Sequence, residues 1–218
     1  MEQGNGNPSI KEMQQGDDMC AKAVVVARQL QEAGHEAYFV GGCVRDALLG
    51  VEPKDFDIAT DATPDSVMDV LSAAGLVAKL AVARQAYPVV SIGTGKNRVE
   101  VATFREDIGG SGRHPRAIKP ADAQTDAQRR DFTVNALLLD PISHQLMDYV
   151  SGLDDLDTKT LRFVGGPEKR IQEDRLRVLR AIRFKNHFGF TMESATEAAV
   201  RAACPPEYLK PLKEERVR

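Results

Sequence analysis

Asp55 and Asp57 stand two residues apart in the run DFDIAT, whose alternation predicts a strand with both carboxylates on one face. Two carboxylates that close repel each other unless a cation lies between them. Mg²⁺ suits such a pair, because it takes oxygen ligands and keeps positions open for water and substrate phosphates. A third carboxylate on a neighbouring strand would complete a two-metal site, and Glu100 in RVEVATF is the candidate. A DxD on a solvated strand face has the same sequence, so the pair alone leaves both readings open.

Gly41-Gly42 ends the β-prone run Ala37 to Val40 and precedes a short helix that Gly50 stops. Glycines there let a triphosphate approach backbone N–H groups at the helix start, and Arg45 adds a charge-assisted donor. An ordinary turn also uses two glycines; the place of this pair, one short helix ahead of DxD, favours the phosphate. Arg113 and His114 fall where they can touch phosphate or belong to a polar loop. Lys96 lacks the spacing and the following Ser or Thr of a P-loop. Cys43 reads as a small buried filler.

The elements carrying these residues follow from periodicity and punctuation. Residues 1–18 are polar and Gly-rich and read as a disordered tail. From Met19 to Ala33 apolar positions recur at helical spacing until Gly34. Thr63-Pro64-Asp65 starts a helix running to Ala74. The β-prone runs Tyr87 to Ile92 and Arg98 to Phe104 flank a hairpin turn, which favours a mixed or antiparallel sheet. Asp107 to Gln124 reads as a mobile loop, Asp131 to Leu139 as a helix, and Gln145 to Val150 as a strand before a loop through Gly152 and Asp154. From Glu168 one helix is expected to Gly189, with Ile171, Leu176, Val178, Leu179, Ile182 and Phe184 as its apolar face. Another covers Met192 to Ala203, and a last one begins near Leu209. The expected class is α+β: a head over 19–164, a mixed sheet with flanking helices, followed by an all-helical neck over 165–218. LKEERVR at the end reads as the opening of a charged helix without a stop signal, which predicts a longer parent protein.

Composition sets limits. With 42% apolar residues in 218, the chain can bury one good core and a smaller second one. The net charge of −3 is unusual for a nucleic-acid partner, but six Lys or Arg stand among three acids between Glu168 and Arg183, so a local basic face is available. Cys20, Cys43 and Cys204 have no metal-binding spacing and read as buried reduced thiols. No basic-then-apolar leader and no membrane-length apolar run is present, which points to a cytoplasmic protein.

GGCVRDALLGVEPKDFDIATDATP, then VEVATFRED, RHP, RRDFTVNALLLDP and EDRLRVLRAIRF resemble, in order, the motifs of class II tRNA CCA-adding enzymes and bacterial poly(A) polymerases, a branch of the polymerase-β superfamily. The resemblance covers roughly residues 37–218. It implies a triphosphate-binding turn at Gly41, Gly42 and Arg45, metal ligands at Asp55 and Asp57, and a third carboxylate at Glu100. It also implies sugar and phosphate contacts from Arg130, Asp131 and Asn135, and base reading by Glu173, Asp174 and Arg177. The last assignment has independent sense: on one helix Asp174 and Arg177 share a face, offering an acceptor and a fork of donors to one planar base, with Glu173 orienting the arginine. A surface ion pair has the same spacing.

The expected reaction is Mg²⁺-dependent in-line attack of an RNA 3′-hydroxyl on the α-phosphorus of CTP or ATP, adding CCA to tRNA and releasing pyrophosphate. Poly(A) synthesis, CC-only addition and A-only addition are the alternatives among enzymes. A catalytically silent nucleotide- or RNA-binding module is the alternative of another class.

Overall fold

The computed structural model describes residues 18–81, 88–94, 97–111 and 114–204. The tail over 1–17, Lys96, Arg113 and the helix expected near Leu209 lie outside the described residues.

Helix α1 (Asp18–Glu32) buries Cys20, Ala23, Val26, Ala27 and Leu30 completely; of the apolar positions Val24, Val25, Ala27 and Leu30 whose spacing predicts the helix, Val25 is exposed and Val24 only half-buried. β1 (Ala37–Val40) leads through Gly41 into α2 (Gly42–Leu48), and β2 (Phe56–Thr60) follows. α3 (Pro64–Ala73) starts as expected: Thr63 Oγ1 accepts from the Ser66 N–H at 3.2 Å, a cap worth about 1 kcal/mol, and Pro64 occupies the first turn. β3 (Ala78–Ala81), β4 (Val89–Thr94) and β5 (Asn97–Thr103) complete this side of the sheet. Among the described residues the sheet has seven strands in the order β3-β4-β5-β2-β1, then β8 (Leu138–Leu139) and β9 (Leu146–Met147). The β2–β5 pair is parallel and the other pairs are antiparallel.

Several expectations are corrected downstream. The predicted loop over 107–124 is a two-stranded hairpin, β6 (Arg105–Ser111) with β7 (His114–Pro120), followed by α4 (Ala123–Gln128). Gly and Pro weaken strand propensity, but a local hairpin supplies its own ladder of hydrogen bonds. Asp131 to Leu139 is not a helix. It forms one 3₁₀ turn (Thr133–Asn135) and then β8 (Leu138–Leu139), because Phe132, Val134, Leu137 and Leu138 are all fully buried and leave no polar helix face. β9 (Leu146–Met147) is shorter than predicted, and Gly152 opens helix α5 (Gly152–Asp157) rather than a loop. A Cβ on Gly152 would stand 2.3 Å from the Thr133 carbonyl oxygen, so glycine alone allows α5 to pack on the 3₁₀ turn.

β10 (Thr160–Leu161) precedes α6 (Pro167–Glu173) and α7 (Leu176–Phe188), which replace the single helix expected there. The break at Asp174 resets the helical phase, so Val178 and Ala181 are buried while Ile182 is exposed. β11 (Thr191–Met192) pairs in parallel with β10, a short strand within the otherwise helical region, and α8 (Ser194–Ala202) ends the described chain.

The main apolar cluster includes Cys20, Phe39, Ile58, Val101, Phe132, Phe163, Ile171, Val178, Phe190 and Val200, so it runs without interruption from α1 to α8. A smaller cluster of Val40, Ala59, Phe104, Ala127 and Leu138 covers the opposite sheet face, as period-2 alternation requires. Each fully buried Phe or Leu here contributes about 1.5–3 kcal/mol. Cys20 and Cys43 are buried as expected; Cys204 is exposed, because it follows the end of α8. Among the described residues no helix is long and apolar enough to cross a membrane.

Candidate active-site cleft

The site forms where β1 ends and β2 and β5 begin. Val40 is opposite Asp57 in the β1–β2 register, and Asp57 is opposite Glu100 in the β2–β5 register. Partners in register share a sheet face, so two carboxylates meet beside the turn that follows Val40. Asp55 is not in the strand: β2 starts at Phe56, and Asp55 lies just outside it. Asp57 is open to solvent by area yet walled by protein on most sides. Burial, then Glu100, push its carboxyl up to about 6, with Asp55 adding to the rise, against the pull of Arg130 and Arg98. Such crowding of like charge is what a bound cation would relieve.

Among the described residues no three His, Cys, Asp or Glu side chains converge closely enough to enclose a metal ion. Glu100 is paired with Arg98 at 2.6 Å, a contact that the sequence reading missed. Asp55, Asp57 and Glu100 offer the oxygen donors that a divalent cation takes, and water and substrate oxygens would have to complete its shell.

Gly41 has φ 76°, a left-handed conformation that favours glycine, and a Cβ there would stand 3.4 Å from Arg130 Nη1. The turn thus lies bare beneath a guanidinium. The cleft, of about 460 Å³, is lined by Gly41, Gly42, Arg45, Asp57, Arg130, Asp131, Asn135, Asp174 and Arg177 among the predicted residues, together with Arg105, Asp107, Arg129, Arg180 and Phe184. Asp55 lines an adjoining recess of about 580 Å³ that shares Gly42, Arg45 and Asp57 with the cleft and adds Lys54, Arg183 and His187. Glu173 stands behind Arg177, and Arg113 falls outside the described residues.

Arg130 and Arg129 are held by a residue the sequence reading passed over. Asp126, on α4 and 1% exposed, receives Nε and Nη2 of Arg129 on one oxygen and Nε and Nη2 of Arg130 on the other, at 2.7–3.3 Å. Its spacing of three and four from the two arginines was the available signal. Burial alone would raise the Asp126 carboxyl, but Arg130 and Arg129 outweigh it and hold it below its ordinary value. Asn135 Nδ2 donates to Asp131 Oδ1, and Arg180 from α7 pairs with the other oxygen at 2.5 Å.

Asp174 and Arg177 do face one cleft, though not as neighbours on a continuous helix. Asp174 has extended dihedrals (φ −148°, ψ 107°), and its Oδ1 accepts the Leu176 N–H at 3.0 Å where α7 begins. Arg177 Nη1 donates to Glu173 Oε2 at 2.7 Å and to the Arg170 carbonyl at 2.9 Å, so Glu173 orients it as expected. Burial would raise Glu173, but Arg177 and Arg170 hold it low and charged. Arg170, also missed, fastens α6 to the chain after α4 through the Gln128 and Arg129 carbonyls. Cys43 donates its thiol hydrogen to the Val40 carbonyl, and burial pushes it up to about 12, so it is no nucleophile.

Residues 37–162 match the profile of the poly A polymerase head domain. Poly(A) polymerase I of Haemophilus influenzae is 36% identical over 199 residues, covering 86% of this chain and 43% of that protein. The CCA-adding enzyme of Lactobacillus helveticus is 39% identical over 203 residues, covering 92% and 49%. The crystal structure of the Bacillus stearothermophilus CCA-adding enzyme in complex with CTP superimposes with a TM-score of 0.77 at 32% identity, over 93% of this chain and 47% of that one. The chain thus spans less than half the length of each.

Proposed function

Because the chain belongs to the poly A polymerase head-domain family, we propose that it is the catalytic part of a template-independent RNA nucleotidyltransferase, adding C and A from CTP and ATP to tRNA 3′ ends in the cytoplasm. The observation that carries this reading is that Asp57, the register partner of Glu100, lines one cleft with the Gly41-Gly42 turn, Asp174 and Arg177.

Asp55 and Asp57 are the residues to hold Mg²⁺, with Glu100 near the attacking hydroxyl. Bound there, the ions supply Lewis-acid polarisation of the hydroxyl and of the phosphoryl oxygens. The bare Gly41-Gly42 backbone and Arg130 take the triphosphate. Asp131 and Asn135 meet the sugar. Arg177, fixed by Glu173, and the free oxygen of Asp174 present donors and an acceptor to the base, which selects C or A by hydrogen bonding without a template. The neck that contributes them is taken to begin at residue 165, and the head to span 19–164.

Poly(A) addition is the second reading, favoured by the similarity to poly(A) polymerase I. The deciding experiment supplies labelled CTP and ATP, separately and together, to a tRNA ending before CCA, with and without Mg²⁺, and sequences the tails. Mg²⁺-dependent CCA supports the main reading. Runs of A support the second, and no incorporation by a folded protein that also binds no nucleotide sinks both.

A further inference from the structure

Arg45 is 8% exposed, its guanidinium is engaged along its edges, and it lies beside two neighbouring phenyl rings. Nε donates to Asp46 Oδ1 at 2.8 Å, Nη2 lies 2.6 Å from the same oxygen, and Nη1 donates to Asn135 Oδ1. Its Cζ is 4.8 Å from the ring centre of Phe184 and 4.6 Å from that of Phe188, both on α7. Nη2 also lies 3.5 Å from where a Cβ on Gly42 would be. A guanidinium fixed in this way has little freedom to follow a phosphate. It links α2 to α7 by two routes: the phenyl rings directly, and a polar chain through Asn135, Asp131 and Arg180.

We propose that Arg45 is a positioning residue, a strut that sets the Gly41-Gly42 turn against α7, and that the adjacent rings of Phe184 and Phe188 are the aromatic seat on which it rests. The inference rests on the reading of the cleft as a nucleotide site and replaces the direct triphosphate contact expected for Arg45. Its consequence is that triphosphate and base are gripped by one connected frame. This seat, with the edge contacts to Asp46 and Asn135, needs a planar, delocalised cation with forked donors, which an ammonium does not supply.

The test uses the full chain with Arg45→Lys, Arg45→Met, Phe188→Leu, Phe188→Tyr and the Arg45→Met/Phe188→Leu double variant. A strut predicts that Arg45→Lys falls to within about threefold of Arg45→Met in kcat/KM for CTP and ATP. Phe188→Leu loses about tenfold, Phe188→Tyr stays near wild type, and the double variant is no worse than Arg45→Met. Arg45→Lys keeping most of the activity, or losses that multiply in the double variant, would overturn the strut. Hydrogen exchange of the α2 amides, measured without nucleotide, should speed up in Phe188→Leu and not in Phe188→Tyr. Equal α2 exchange in all variants overturns the proposal even if the wild type proves to bind no nucleotide, so its failure is separable from that of the functional reading.

Discussion

Asp57 and Glu100 are register partners across β2 and β5, the parallel pair of the sheet, although 43 residues separate them in the chain. That pairing, with Asp55 one residue beyond the strand end, concentrates negative charge beside the Gly41-Gly42 turn.

Replacing Asp57 with Asn should therefore cut nucleotide transfer by about a hundredfold or more while leaving the thermal midpoint no lower than that of the wild type, since it removes repulsion from Glu100 and Asp55. Transfer rates and a melting curve on the same preparation check both halves. Unchanged transfer would remove Asp57 from the metal site.

Arg177 is fixed by Glu173 and by the Arg170 carbonyl so that its remaining donors face the cleft. Arg177→Ala should weaken discrimination against GTP and UTP by about 10- to 100-fold, roughly 1.4–2.8 kcal/mol, with Arg177→Lys no better because it lacks the planar fork. Misincorporation ratios measure this, and intact selectivity would end the base-reading assignment.

Asp126 should govern the acid limb of stability. Its carboxyl titrates below the ordinary value in the folded protein, so its stabilisation is complete above the unfolded value of about 4 and is lost as pH falls through the folded value. Asp126→Asn leaves Arg129 and Arg130 without their shared partner and should cost about 3–5 kcal/mol at pH 7. The difference from wild type should shrink as pH drops below 4. Urea unfolding at pH 7 and pH 3 is the measurement, and equal differences at both would refute the account.

The three thiols should separate by accessibility. At pH 8 Cys204 is expected to react promptly with a disulfide reagent, whereas Cys20 and Cys43 react only after urea unfolding. For Cys43 the reason is both access and the scarcity of thiolate in a group pushed up to about 12. Rapid loss of all three thiols in the native state would contradict the buried placement of α2.

Local pattern determined a good part of this protein. The helix over α1, the helix start at Thr63-Pro64, the hairpin after Ile92 and the glycine turn were legible because each depends on neighbours within a few positions, whereas Asp57, Glu100, Asp174 and Arg177 were singled out only by the order of several motifs along the chain. Longer spacings were not legible. The break at Asp174 went unseen because its cause is a side chain accepting a backbone N–H, which competes with helix without disturbing the apolar count. The β6–β7 hairpin went unseen because its Gly and Pro residues mask a pairing that only the partner strand supplies.

The sequence by itself determined which carboxylates, glycines and arginines were available as candidates, and in what order they came. Tertiary structure decided which of them meet: that Glu100 lies opposite Asp57, that Asp126 holds two arginines at once, and that Arg45 rests against two adjacent rings of α7. The physical reason is that periodicity encodes which face of an element is apolar, whereas register and packing arise from the joint burial of elements far apart in the chain.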